Sequence, residues 1–264
     1  MSTLDTVPAA ARPGLDAWGY LILCEARLVA RDTAGLIIPI VLPVLIMAMN
    51  GLGMDGDAES IPEFGGLSAL EAIVVPLTLV MIVALVGIVN MPSFLATHRK
   101  TGVLRRLSTT PANPSMVLVA QVVVSFLQTL LGTALALGIA AAAFDVGAPR
   151  DVAAAVGVFA LVSAAMYALG MLVGAVAPTT NAAIAIGLLG FFALMALGGG
   201  FGGRDNLPEA LATVGEWLPY GAGVEALSAA WQGAAVDPLH LAVLAGTTVV
   251  ATVLAVTRFR WSED

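Results

Sequence analysis

The stretch Val152 to Gly203 reads VAAAVGVFALVSAAMYALGMLVGAVAPTTNAAIAIGLLGFFALMALGGGFGG, 52 residues without Asp, Glu, Lys, Arg or His. An α-helix crosses a bilayer with about 20 mainly apolar residues, so this run is too long for one crossing and long enough for two. Pro178-Thr179-Thr180-Asn181 is the natural break, because proline cannot continue a helix and the other three favour turns. Backbone amides in hydrocarbon need partners within the chain, so both halves read as helices. A transmembrane barrel would show short alternating segments instead.

Working outward, residues 33–54, 72–97, 107–144 and 238–257 are also free of charge, apart from His240. Six spans follow: Thr33–Met54, Ala72–Thr97, Ser115–Phe144, Val152–Ala177, Ala182–Gly203 and Leu239–Thr257. The expected fold class is an all-α polytopic membrane protein with a single transmembrane domain. Composition agrees: 59% of residues are hydrophobic and 11% charged, against about 25% charged in a soluble domain. These values exclude a water-soluble enzyme, a disordered chain and a disulfide scaffold. Cys24 is the one cysteine, so no internal disulfide forms. Met1 to Asp16 lacks the basic and apolar regions of a cleaved leader, so the first span is expected to be retained.

Lys and Arg set the orientation. With both termini inside, Arg12, Arg27, Arg31, Arg99, Lys100, Arg105, Arg106, Arg258 and Arg260 are cytoplasmic, and only Arg150 and Arg204 are outside. The net charge of -7 carries less information than this distribution. The outer segments are acidic, with Asp55, Asp57, Glu59, Glu63 and Glu71 after span one. Asp205, Glu209, Glu216, Glu225 and Asp237 follow span five.

Two further segments are not spans. Residues 15–32 pair Arg27 with Arg31 at helical spacing, and Glu25 with Asp32 two turns apart, in an otherwise apolar stretch. That pattern predicts an amphipathic helix in the cytoplasmic interface; the alternative is an extension of span one. In residues 204–238, Asn206 is the expected N-cap, with Pro208 close behind it. Leu207, Leu211, Val214 and Leu218 form a stripe at helical spacing. Pro219 breaks it and a second piece runs to Trp231. Both are expected as short outer helices or a re-entrant pair.

The spans hold no carboxylate, which ion- and proton-coupled pumps need. Lys100 follows Arg99 rather than Gly, so it does not belong to a phosphate-binding loop, and the chain is not expected to power itself with ATP. His98 and His240 fall at span ends on opposite sides and read as interfacial polar residues. His, Cys and carboxylates do not cluster at metal-ligand spacing. No catalytic, metal or cofactor residue is therefore expected, and no nucleic-acid partner. A secondary carrier, an intramembrane enzyme with an unrecognised polar site, and a non-transporting scaffold stay open as alternatives.

The most informative loop is His98 to Pro114, HRKTGVLRRLSTTPANP. Gly102 permits a turn. Val103 to Leu107 is one to two helical turns, with Leu104 and Leu107 on one side and Arg105 and Arg106 off it. Ser108 to Pro114 ends it. The loop reads as a short amphipathic helix that presses into a cleft on a cytoplasmic partner, or as a basic loop that only fixes topology.

Within the spans, Gln121, Ser125 and Gln128 recur at i, i+4 and i+7 and share one helix face. They line a pathway or act as interhelical glue. Asn50 and Asn90 are expected as helix-end polar groups. Gly170 and Gly174 form a small-xxx-small pair for close packing. Pro39 and Pro43, each lacking a backbone donor, are hinge candidates in span one. Gly198, Gly199 and Gly200 near the end of span five are a hinge or another close-packing site. The charge-free, Met-bearing interior favours an amphiphilic or lipid-like cargo.

The stretch Thr101-Gly102-Val103-Leu104-Arg105-Arg106-Leu107-Ser108-Thr109-Thr110-Pro111 resembles the G-x-L-x-R-L-x-x-T-P loop of type-2 ABC exporter permeases, notably the drug and polyketide efflux branch. Trp217-Leu218-Pro219-Tyr220, Val224-Glu225-Ala226-Leu227 and Trp231-Gln232-Gly233 are similar to that family's region before the last span. The resemblance implies a permease dimer, homomeric or heteromeric, with twelve spans on two ATP-binding subunits in a bacterial plasma membrane. It makes the loop helix the coupling helix. One departure stands out. Many members carry acidic residues before the Gly and within the helix, whereas here His98, Arg99 and Lys100 precede it and Arg105 and Arg106 lie inside.

Overall fold

A computed structural model describes residues 14–53, 61–101, 115–201 and 206–258. Among them there are no strands, only one isolated bridge between Ile61 and Leu67. The helices are α1 (Leu15–Arg31), α2 (Thr33–Gly53), α3 (Leu70–Lys100), α4 (Ser115–Phe144), α5 (Val152–Val176), α6 (Thr180–Leu197), α7 (Glu209–Glu216), α8 (Pro219–Gln232) and α9 (Pro238–Arg258). Six of these, α2 to α6 and α9, are long and apolar enough to cross a membrane. The chain is an all-α polytopic membrane protein.

α3 is the central post. Of its most apolar window 83% is buried, against 22% for α2 and 17% for α9. A helix apolar on every side is buried by its neighbours, whereas the outer helices turn Leu45, Leu127, Leu189 and Val253 outward. Such apolar exposure suits hydrocarbon as the surrounding solvent. α5 packs mainly along α9, α8 and α3, and α8 also lies against α3 and α9.

Helix starts follow local chemistry. Ser68 and Glu71 form a capping box at the entry of α3: the Ser68 amide donates to Glu71 Oε2 (3.2 Å) and the Glu71 amide to Ser68 Oγ (3.2 Å). Asp151 caps α5 by accepting from the Ala154 amide (2.9 Å). Thr179 caps α6 by accepting from the Ala182 amide (3.1 Å), so the Pro178–Asn181 break is a cap as well as a stop. Asp32 separates α1 from α2 and accepts from the Gly35 amide (3.0 Å).

Several boundaries differ from the sequence reading. α3 runs to Lys100, beyond Thr97, because its charged last turn finds partners on other helices. α6 stops at Leu197, before Gly203: the Gly198 and Gly200 amides return to Leu194 O and Met195 O, and Gly199 takes a positive φ of 86°. Asn206 is not the cap of the first outer helix; α7 starts at Glu209 behind Pro208, with no side-chain cap. Pro219 opens α8 at its first turn, where the missing N–H is no loss.

Close approach on α3 requires glycine on both flanks. A Cβ at Gly170 of α5 would fall on the Gly87 carbonyl oxygen, and one at Gly187 of α6 on the Ile88 carbonyl oxygen. Both carbonyls belong to the π-helical stretch Leu85–Asn90 in α3. Gly174 approaches Leu95 one turn further on, where a Cβ would lie 3.0 Å from its Cδ1. The Gly170/Gly174 pair is thus the seat of α3 on α5.

Candidate functional site

Polar side chains concentrate toward the end of the bundle where α3 leads into the loop. Pro39 has no N–H, so the Gly35 carbonyl, four residues earlier in α2, lacks its helical donor. Two amides from other helices replace it: Asn90 Nδ2 (2.8 Å) and Gln128 Nε2 (2.7 Å). Asn90 Nδ2 also donates to Gln128 Oε1 (3.0 Å), which closes a triad across α2, α3 and α4. Gly35 admits this approach because a Cβ there would sit 2.7 Å from Asn90 Oδ1. Asn90 is 6% exposed and Gln128 5%, so Asn90 is a buried mid-helix residue, not the helix-end group expected of it.

Nearer the loop, His98 Nε2 meets Glu25 Oε2 at 2.9 Å, and both residues are buried. This contact ties α3 to α1 and corrects the reading of His98 as an interfacial residue. The Arg99 guanidinium donates to the Ala177 (2.5 Å) and Ala175 (3.4 Å) carbonyls at the end of α5. The last carbonyls of a helix lack amide partners and carry partial negative charge, so a cation is well placed there. Thr97 Oγ1 meets Thr180 Oγ1 (3.3 Å) at the start of α6. Thr101 Oγ1 returns to Thr97 O (2.9 Å). The helix end that enters the loop is therefore clasped by α1, α5 and α6 together.

Of the coupling residues expected from sequence, only Thr101 lies within the described residues, where it is exposed; Gly102, Val103, Leu104, Arg105, Arg106, Leu107, Ser108, Thr109, Thr110 and Pro111 lie outside them. Gln121, Ser125 and Gln128 share a buried face of α4, at 1%, 2% and 5% exposure. Gln128 is spent on the triad. Next to it, Thr129 Oγ1 lies 2.6 Å from Tyr167 OH, which donates to Ser125 O (3.3 Å) and so joins α4 to α5. Gln121 Oε1 is buried without a partner. The structure brings the Gln128 side chain and the Ser125 main-chain carbonyl into interhelical bonding and leaves Gln121 Oε1 outside it. Pro39 and Pro43 lie inside the continuous α2, and Gly198 to Gly200 form the turn after α6, pressed on α8.

Sequence reasoning missed Glu25, Asn90 and Arg99. A signal for Asn90 was present: each proline inside a helix orphans the carbonyl four residues before it, and a buried amide is the natural replacement. The same rule finds Ala72, four residues before Pro76. Its carbonyl accepts from Ser228 Oγ of α8.

The family model described as ABC-2 family transporter protein matches residues 54–257. The chain belongs to the ABC-2 transporter family. No curated protein matches it. The matched range of this permease takes in α3 to α6, the loop, both outer helices and all but the last residue of α9. The family makes the chain the membrane subunit of an ABC transporter, with no catalytic role of its own, and implies an ABC-type ATP-binding partner. Among the described residues, no group of three or more His, Cys, Asp or Glu could hold a metal ion.

Proposed function

We propose that this permease is the membrane half of an ATP-driven exporter of hydrophobic or amphiphilic compounds. On this reading two permease copies, identical or different, sit on two ATP-binding subunits in a bacterial plasma membrane, with both termini cytoplasmic. The segment Thr101–Pro111 is the foot that docks on the ATP-binding subunit. The observation that carries the reading is the clasp at the end of α3. Glu25–His98, Arg99–Ala177 and Thr97–Thr180 join the residues before the foot to α1, α5 and α6. A push on the foot then reaches several helices at once and need not bend one loop alone. The positive-inside pattern of Lys and Arg supports a cytoplasmic position for that end.

The test uses the complete transporter in proteoliposomes. Leu104→Asp puts a charge on the apolar side of the foot. It is expected to leave membrane insertion and the thermal midpoint unchanged while it lowers transport per ATP hydrolysed by about tenfold or more, as lost docking of an apolar anchor does. Normal transport by that variant, or transport by the permease without any ATPase, would overturn the proposal.

A further inference from the structure

At the end of the bundle opposite the foot, α2, α3, α8 and the Gly198–Gly200 turn enclose a cavity of about 550 Å³. Its wall includes Asn50 of α2, Val74 and Leu77 of α3, and Val224 and Gln232 of α8. Phe64 adds a side chain from residues 61–67, a segment of the connection between α2 and α3. That segment has two sides. Ile61, Phe64 and Leu67, three residues apart, are half-buried, whereas Pro62, Glu63, Gly65 and Gly66 are exposed. Its backbone also closes on itself. The Ile61 amide donates to Leu67 O (3.0 Å), and the Phe64 and Gly66 amides donate to Ile61 O (3.0 Å each). A compact loop with its ends paired and its apolar side chains on the inner side is built to move as one piece.

Arg150 holds this piece from a fixed platform. The Arg150 and Asp151 amides donate to Trp231 O (3.1 Å) and Ala230 O (3.2 Å) of α8, and the Gly147 amide donates to Glu71 Oε1 of α3 (3.0 Å). From there the guanidinium reaches two carbonyls: Nη2 donates to Gly65 O (2.9 Å) and Nη1 to Gln232 O (3.4 Å). Gly65 follows Phe64, and Gln232 lines the cavity, so one side chain joins the loop to the α8 side of the wall. Glycine makes room for it on both flanks. Gly65 has a φ of +66°, and a Cβ there would lie 2.7 Å from Arg150 Nη1; Gly233 has a φ of +74°, and a Cβ there would lie 3.0 Å from Arg150 Cβ. A planar fork can serve two acceptors in a fixed geometry, which a lysine ammonium cannot do as well. Arg150 is exposed, so water can take over both carbonyls when the contact breaks. Moving elements are drawn from such weakly held parts of a structure.

We propose that Arg150 is a latch that holds residues 61–67 over the cavity, and that its release opens the cavity to water at this end. That the latch opens in each transport cycle rests on the exporter reading; that it closes the cavity does not.

The experiment measures thiol reactivity in the full-length permease in nanodiscs, without ATPase, in a Cys24→Ser background. The reporter is Val224→Cys, at a buried position on the cavity wall. The reagent is a charged, lipid-insoluble methanethiosulfonate. Arg150→Gln is expected to raise the reaction rate about tenfold, the scale of one lost hydrogen bond to a charged group, and Arg150→Lys by less. A reporter in the core of α4, Ala136→Cys, should stay unreactive in every variant, which separates local opening from unfolding. A reporter on the exposed side of α7, Thr213→Cys, should react at one rate throughout. A second pair of variants tests the latch without changing Arg150. Gly65→Ala and Gly66→Ala both place alanine at a positive φ, but only the first sets a methyl group against the guanidinium; at Gly66 a Cβ meets nothing within 4 Å. Gly65→Ala should therefore raise the rate more than Gly66→Ala, and the excess should vanish in the Arg150→Gln background. An unchanged rate in Arg150→Gln, or equal rates for the two alanine variants, overturns the proposal. In the complete transporter, Val224→Cys should react faster during ATP hydrolysis. No ATP effect, with the Arg150 effect intact, sinks opening in the cycle and leaves the latch. An ATP effect that is indifferent to Arg150 overturns the latch and leaves the exporter reading.

Discussion

The two ends of this permease solve one problem in different ways. At the foot end, Pro39 orphans the Gly35 carbonyl, and two amides from α3 and α4 satisfy it in a closed triad. At the far end, Pro76 orphans the Ala72 carbonyl, and a single hydroxyl of α8, backed by Gln232, satisfies it beside a cavity. The foot end adds the Glu25–His98 pair and the Arg99 contacts. The far end has long-range bonds of its own, from Arg150 Nη2 to Gly65 O (2.9 Å) and from the Gly147 amide to Glu71 Oε1 (3.0 Å), beside its local caps and glycine turn. Both ends are tied across distant elements; the foot end differs in its buried side-chain pairs and the far end in its open volume.

The comparison breaks most readily at His98. His98→Ala leaves the Glu25 carboxylate buried without its partner, which costs about 3 kcal/mol or more when the second group stays in place. The expected result is a large drop in the unfolding midpoint of the purified permease in detergent. Replacing both residues, Glu25→Leu with His98→Leu, should restore most of the loss, because no buried charge remains. A single variant as stable as the wild type would mean that α1 is not held to α3 by this pair.

Next in size is the seat of α3. Gly170→Ala drives a methyl group onto the Gly87 carbonyl, and overpacking of this kind costs about 1–3 kcal/mol. Gly190→Ala is the control: its added carbon would meet nothing nearer than Ile88 Cγ2 at 3.8 Å, and it should stabilise by a few tenths to about 1 kcal/mol through helix propensity. Opposite signs for two glycines of one bundle are the expected readout in parallel thermal unfolding. Equal signs would remove the close-approach argument.

Much of the fold was legible because hydropathy and length report directly on bilayer crossing, and the Thr179 cap lay in the stretch that interrupts the longest run. The charged end of α3 was not legible. His98 and Arg99 look like the start of a loop when read along the chain, since their partners lie 73 to 78 residues away in sequence, in helices not yet placed. Asn206 looked like a cap because Asn is a good one, yet the backbone begins its helix three residues later. Gln128 was found by its spacing, but its role needed Pro39 read together with Gly35. A proline's missing donor creates a demand at a fixed offset, and only the tertiary structure says which side chain meets it.

That demand is itself testable. Asn90→Leu leaves Gly35 with one amide donor and strands Gln128 Oε1, at about 1 kcal/mol. In a Pro39→Ala background the Gly35 carbonyl regains an N–H from its own helix, so the same Asn90→Leu change should cost less. A double-mutant cycle in unfolding free energy measures this coupling. Strict additivity would show that the amides are not there to replace the proline's donor.

The smallest effect belongs to the far end. Ser228→Ala removes one hydroxyl from the Ala72 carbonyl, and interhelical bonds of this type in membrane proteins average about 0.6 kcal/mol. The loss should be smaller than for Asn90→Leu, because one bond is broken and Gln232 Nε2 is released to turn toward Ala72 or the cavity. Pro76→Ala should again relieve it. If Ser228→Ala proved the more costly of the two, the replacement donor at Ala72 would matter more to the bundle than the pair at Gly35, and the ranking of the two ends would be reversed.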